Sequence, residues 1–194
     1  MNAATHCYVL DTGPLSHFAR SQWLGVLKLV LKGSRVVIPD VVRDELIRGG
    51  AQHPYMHAVF EQSWIEVVAL DTDELLHAFA RYERRLVGAN GKNVGECGVL
   101  ALAGSLPHAT AVVDDRVAGN AAKAANIRVR RTLGLLCEGI YRGELTVALV
   151  SAVADDLIAD AYRLPFEPGG FAKWAEAQGL AGPSADSGEP DPGR

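Results

Sequence analysis

Carboxylates recur in this sequence where short apolar runs end. The first run, 7–10, leads straight into Asp11 within Tyr8-Val9-Leu10-Asp11-Thr12-Gly13-Pro14. A second run, 36–38, precedes a helical pattern that carries Val41, Val42, Asp44, Glu45 and Leu46. Glu45 falls four residues after Val41, at the edge of the apolar stripe, while Asp44 is placed to face solvent as a partner for Arg48. Glu96 lies in Asn93-Val94-Gly95-Glu96-Cys97-Gly98-Val99-Leu100 and shares a helix face with Val99 and Leu100. A charged carboxylate there costs several kcal/mol unless it has a partner. Gly95 and Gly98 weaken that helix, by about 1 kcal/mol each relative to Ala, which makes sense where another segment or a phosphate comes close. A fourth run, 111–113, ends in the adjacent acids Asp114 and Asp115, which repel one another unless a cation intervenes.

Three or four carboxylates gathered on one sheet edge would push up each other's pKa values. A hard divalent ion with oxygen ligands relieves that repulsion, and Mg²⁺ or Mn²⁺ suits carboxylates supplemented by water. Zinc has no comparable claim. The histidines His6, His17, His53, His57, His77 and His108 show neither HExxH nor HxH spacing, and Cys7, Cys97 and Cys137 form no CxxC pair.

The elements that must position these acids follow from hydrophobic periodicity. Short β-branched runs predict strands at 7–10, 36–38, 65–70, 111–113 and 127–129. Helical patterns fill 15–31, 39–48, 72–87, 94–103 and 117–125. Apolar strands alternating with helices imply an α/β fold with a parallel sheet covered on both faces. In such sheets ligands bind beyond the carboxyl ends of the strands, which is where Asp11 is expected. Asp71 with Glu74, and Asn93 with Glu96, have capping-box spacing, and Pro39 suits a first helical turn. Helices follow at 132–141, 145–161 and 171–178, the middle one with a stripe of Leu149, Val153 and Leu157. The tail, 182–194, has almost nothing to bury and is expected to be disordered.

With 194 residues, 48% apolar and 22% charged, the chain has the composition of one ordinary globular domain. Three scattered cysteines exclude a disulfide scaffold and fit a reducing cytoplasm. No apolar run reaches membrane-spanning length, and no signal peptide is expected. A net charge of −4 excludes general polyanion binding, so any nucleic-acid role needs a local basic patch or metal ions. The stretch 116–131 is such a patch, with Arg116, Lys123, Arg128, Arg130 and Arg131 and no acid.

Asp11 at the end of strand one, Pro39 with Glu45-Leu46, Gly95-Glu96 with Ala101-Leu102-Ala103, and Asp114-Asp115-Arg116 together resemble the PIN-domain nucleases. Within that superfamily the pattern is similar to the predicted nucleic-acid-binding branch with Gly-Glu at the third motif and Asp-Asp-Arg at the fourth. The VapC toxins of bacterial toxin–antitoxin pairs are its better-known relatives. The similarity spans roughly residues 7–165.

The resemblance implies a three-layer α/β/α sandwich on a central, mainly parallel sheet, with added C-terminal helices. Those helices would follow a PIN-like unit at 1–165, as an extension at 166–181. It also implies an acidic pocket for one or two Mg²⁺ or Mn²⁺ ions and metal-dependent hydrolysis of RNA. By position Asp11, Glu45 and Glu96 match the first three acids. The fourth is Asp114 or Asp115, with Asp115 preferred because relatives carry Thr/Ser-x-Asp there and Val113 takes the Thr/Ser place. Asp11, Glu96 and Asp115 or Asp114 would hold the ion, and Glu45 would serve a second ion or act through water. Thr12 and Ser16 would orient water or phosphate, and Arg116, Lys123 and Arg128 would hold the RNA backbone. A small antitoxin, a homodimer and a cytoplasmic location are expected on the same ground. The competing reading is a PIN-like module that binds RNA or protein without cutting. A haloacid-dehalogenase-type site would need Asp-x-Asp, and position 13 is Gly.

Overall fold

The computed structural model describes residues 6–87 and 92–180, and the tail expected at 182–194 lies outside them. Five parallel strands, β1 (Cys7–Leu10), β2 (Arg35–Pro39), β3 (Ile65–Val68), β4 (Ala109–Val112) and β5 (Arg128–Arg130), form one sheet in the order β3-β2-β1-β4-β5. Cys7 pairs with Arg35 on one side and Ala109 on the other, and Leu10 with Val112. Every residue of β1 and β4 is buried, as unbroken apolar runs require when helices cover both faces. The edge strands β3 and β5 are partly exposed. From β1 the chain steps outward through β2 and β3, then returns to β4 on the opposite flank of β1. The connections therefore diverge at the carboxyl ends of β1 and β4. That crevice is where open parallel sheets bind ligands.

The helices are α1 (Thr12–Arg20), α2 (Leu24–Val30), α3 (Asp40–Gly50), α4 (His57–Phe60), α5 (Asp73–Leu86), α6 (Val94–Ser105), α7 (Arg116–Ala124), α8 (Thr132–Tyr141), α9 (Val147–Ala159) and α10 (Phe171–Ala177). They complete the three-layer α/β/α sandwich. Helix α6 is apolar nearly all round and buries Cys97, Val99, Leu100 and Leu102, packing against β1, β2, β4, α3 and α5. Its approach to α3 depends on Gly98. A Cβ at that position would lie 3.2 Å from Pro39 Cγ and run into Val41 Cγ2. This contact brings the first turn of α6, with Glu96, beside the Glu45 face of α3.

Several local expectations are corrected. The single helix expected at 15–31 breaks at Gln22, whose φ is 63°; the Trp23 amide then bonds Phe18 O at 2.8 Å. The Trp23 indole donates to Asp156 at 2.8 Å, a long-range tie that local periodicity does not register. Neither capping box forms. Thr72, not Asp71, caps α5 by accepting from the Leu75 amide at 3.3 Å, and Asn93 adopts φ 72° and donates its side chain to Leu86 O. Pro39 ends β2 and precedes the first turn of α3 rather than opening it. Asp44 takes the guanidinium of its chain neighbour Arg43, at 2.9 and 2.7 Å, rather than that of Arg48. A 3-10 turn at Pro54–Met56 and helix α4 were not expected.

In α9 the buried stripe runs through Val150, Val153, Ala154 and Leu157, with Leu149 only half-buried. Helix α10 packs on α9 through buried Phe171 and Ala175, and the rings of Phe166, Phe171 and Trp174 lie 5.5 to 5.9 Å apart. Among the described residues no helix is long and apolar enough to cross a membrane.

The α3–α6 contact makes a testable demand. Gly98→Ala should lower stability by about 1–3 kcal/mol in urea unfolding through overpacking, although Ala is the better helix former. Adding Val41→Ala should remove much of that penalty in a double-mutant cycle. Gly119→Ala in α7, where nothing lies within 4 Å of the new Cβ, should instead stabilise by about 0.5–1 kcal/mol.

Candidate active site

Asp11 continues the sheet ladder one residue beyond β1, its amide bonding Val112 O at 3.1 Å. It then caps α1, with Oδ2 accepting a long bond of 3.4 Å from the Gly13 amide. The residue is only 6% exposed, and Oδ1 is buried without a hydrogen-bond partner among the described residues. A buried acceptor without a donor is uncommon and asks for an explanation. Burial, reinforced by the Glu96 and Glu45 charges, pushes the Asp11 carboxyl well above its usual range.

Glu45 meets Asp11 from α3. Its Oε2 accepts from the Thr12 hydroxyl at 2.6 Å and its Oε1 from the Gly95 amide at 2.8 Å. Gly95 is required at that junction. A Cβ there would stand 2.5 Å from Glu45 Oε2 and 3.0 Å from Asp11 Oδ1, in the space the two carboxylates occupy. The next residue, Glu96, is raised in pKa by burial and by the Glu45 and Asp115 charges. Asp115 caps α7, accepting from the Ala118 amide at 2.8 Å. The charges of Glu45 and Glu96 thus act on Asp11, and those of Glu45 and Asp115 on Glu96, at the carboxyl edge of β1 and β4.

Asp114 does something different. Its Oδ1 accepts from the Thr132 amide at 2.9 Å and its Oδ2 from the Thr132 hydroxyl at 2.7 Å. It ties the start of α8 to the end of β4. The partner lies eighteen residues downstream, and no local pattern pointed to it.

Thr12 sits at the cluster through Glu45, whereas Ser16 spends its hydroxyl on Gly13 O at 3.0 Å. Arg116 and Lys123 line a cavity of about 180 Å³ together with Val113, Asn120, Arg130 and Arg131. Arg130 in that set is ion-paired with Glu138. Arg128 is at the other end of β5, in a separate cavity with Asn126 and His108. There it adds to burial in lowering the pKa of His6. The basic stretch read as one patch is therefore divided between the two ends of a strand. Arg131 counted in the sequence only as one member of that stretch, and no signal there set it apart.

Burial pushes the Cys97 thiol up to about 12 and the Cys137 thiol up to about 11, so neither is a ready nucleophile. The chemistry of the crevice is carboxylate chemistry. Its donors are all hard oxygens, and one of them is a sealed acceptor without a donor, which fits a hard divalent cation. Among the described residues, however, no three His, Cys, Asp or Glu side chains are arranged to hold an ion.

A family model described as a PIN domain matches residues 7–167. Among solved structures, VapBC2 from Rickettsia felis, bound to a DNA fragment from its promoter, is similar with a TM-score of 0.45 and 16% identity. That match covers 64% of this chain and 98% of the other. No curated protein matches the chain.

The raised Asp11 carboxyl links stability to pH. The folded protein keeps this proton to higher pH than the unfolded chain, whose value is near 3.8. The associated stability is full below that value and is lost as pH rises through the raised one. Asp11→Asn cannot ionise and escapes the loss. Urea unfolding across a pH series should show variant and wild type diverging above pH 3.8, the variant gaining by up to about 1.4 kcal/mol per pH unit. A difference that does not change with pH would contradict the burial of a titrating group.

Proposed function

The chain belongs to the PIN-domain family, and from that premise we propose that it is a divalent-metal-dependent endoribonuclease acting as the toxin of a toxin–antitoxin pair. The observation that carries the nuclease reading is the buried Oδ1 of Asp11, without a donor among the described residues, beside three further acids at the divergence of β1 and β4. Asp11 would ligate Mg²⁺ or Mn²⁺ directly, with Glu96 and Asp115 sharing the ion or its waters, and Glu45 would serve a second ion or act through water. When bound, such an ion polarises a phosphoryl oxygen and makes water a nucleophile at neutral pH. Asp115 is preferred to Asp114 for this role because both Asp114 oxygens are engaged by Thr132.

The chain's own groups supply the rest. Glu45 is held between the Thr12 hydroxyl and the Gly95 amide, which fixes its carboxylate against the Asp11 side of the crevice. With its proton given to Glu45, the Thr12 oxygen can accept from a water. Burial shifts the Asp11 and Glu96 carboxyls upward, and positive charge bound in the site would oppose that shift. Arg116, Lys123 and Arg131 supply local attraction for a phosphate backbone on a protein of net charge −4. The toxin part of the reading rests on the likeness of the four acidic motifs to those of VapC proteins. It brings with it a small antitoxin that places a basic group in the acidic crevice, a homodimer and a cytoplasmic setting.

The test is cleavage of a structured RNA pool with Mg²⁺, Mn²⁺ or EDTA. Cutting should require the ion and fall on the order of a hundredfold or more in an Asp11→Asn protein shown to be folded. Cutting that survives EDTA or the substitution would refute the proposal. RNA binding by wild type without any cleavage would favour the non-catalytic module.

A further inference from the structure

A further cavity, of about 340 Å³, is also lined by Arg131, and none of Asp11, Glu45, Glu96 and Asp115 lines it. Its walls are Leu133 at the start of α8 and Tyr162, Leu164 and Pro165 in the segment that follows α9. Asp114 also lines it, beside the guanidinium-bearing Arg131 and Arg163. The walls are held in place. Asp114 fixes Thr132, and with it the position of Leu133. Helix α9 stops where Ala161 takes φ 64°, its amide bonding Ile158 O and the Tyr162 amide bonding Leu157 O, both at 2.9 Å. That left-handed residue turns 162–165 back across the end of β4. The Tyr162 ring is pinned edge-on to His17, with centroids 4.9 Å apart.

We propose that this cavity is a nucleobase subsite, holding the base of a nucleotide whose phosphate is taken by the neighbouring cationic cavity of Arg116, Lys123 and Arg131. The inference rests on the nuclease reading for its neighbour but on its own chemistry for its ligand. The volume is within the range of small-molecule sites, and apolar walls with a few placed polar groups are what such sites share. A base has two π faces for the Tyr, Leu and Pro surfaces and for stacking by a guanidinium. Arg131 lines both this cavity and the cationic one with Arg116 and Lys123. One nucleotide therefore finds a place for its base and a place for its phosphate in two cavities that share a side chain. Asp114 and Asp115, adjacent in sequence, divide the work: the Asp115 charge reaches Glu96 in the acidic crevice, and Asp114 fixes Thr132 beside the base cavity.

The test needs no catalysis. Methyl NMR of the full chain in EDTA would follow Leu133 and Leu164 during titration with AMP, GMP, CMP and UMP, with ribose 5-phosphate as the baseless probe. At least one nucleotide should shift both residues at millimolar concentration while ribose 5-phosphate leaves them in place. Arg163→Glu, a change at an exposed position, should weaken that nucleotide about tenfold. Unmoved methyls, equal shifts with ribose 5-phosphate, or undiminished binding in Arg163→Glu would each overturn the proposal. A protein that shows the shifts yet leaves RNA uncut refutes the nuclease reading alone. One that cuts RNA without them refutes the subsite alone.

Discussion

One carboxylate oxygen, Oδ1 of Asp11, is buried at the centre of the sheet's carboxyl edge with no donor to balance it among the described residues. Much of the neighbouring structure keeps it there. β1 is the middle strand and is buried throughout, so the residue that follows it has little access to solvent. Gly98 lets α3 and α6 close together, and Gly95 leaves room for two carboxylates where a side chain would otherwise project. The Thr12 hydroxyl and the Gly95 amide then direct Glu45 toward the same place. Folding alone would favour an apolar residue or an amide at position 11. A titratable carboxyl kept there against the cost of burial fits a site shaped for a ligand.

The same pattern separates two neighbouring acids by task. Asp115 caps α7 and its charge reaches Glu96, whereas Asp114 bonds Thr132 and anchors α8. Both groups end β4, but successive residues leave a strand in different directions. The segment beyond α9 benefits from that division. Asp114 and Thr132 make a fixed surface against which Tyr162 and its successors can settle, while α10 is held to α9 by Phe171 and by the Gly169 amide on Asp155.

The strand runs and the acids that end them were legible because both obey local rules. β1 matches its expected bounds, and the four other strands lie within two residues at their starts and ends. The placement of Asp11, Glu45 and Glu96 near one another follows once the sheet is parallel and carboxyl ends share an edge. Gly95 and Gly98 were conspicuous as weak points in an apolar helix, although their reasons differ: one faces carboxylates and the other an aliphatic wall. What sequence could not supply were bonds between distant segments. The Trp23–Asp156 bond and the Asp114–Thr132 pair each override a local preference through tertiary packing. Arg128 shows the same limit in another form. Two residues along an extended strand from Arg130, it lies in a different cavity.

The direct measurement is the titration of the Asp11 side-chain carboxyl by ¹³C NMR, first in EDTA and then with saturating Mg²⁺. A site built around an unbalanced buried carboxylate gives a value well above the usual 3.8 without the ion, and one that drops when Mg²⁺ is added. An ordinary value in EDTA, or a raised one that Mg²⁺ leaves unchanged, would contradict the account.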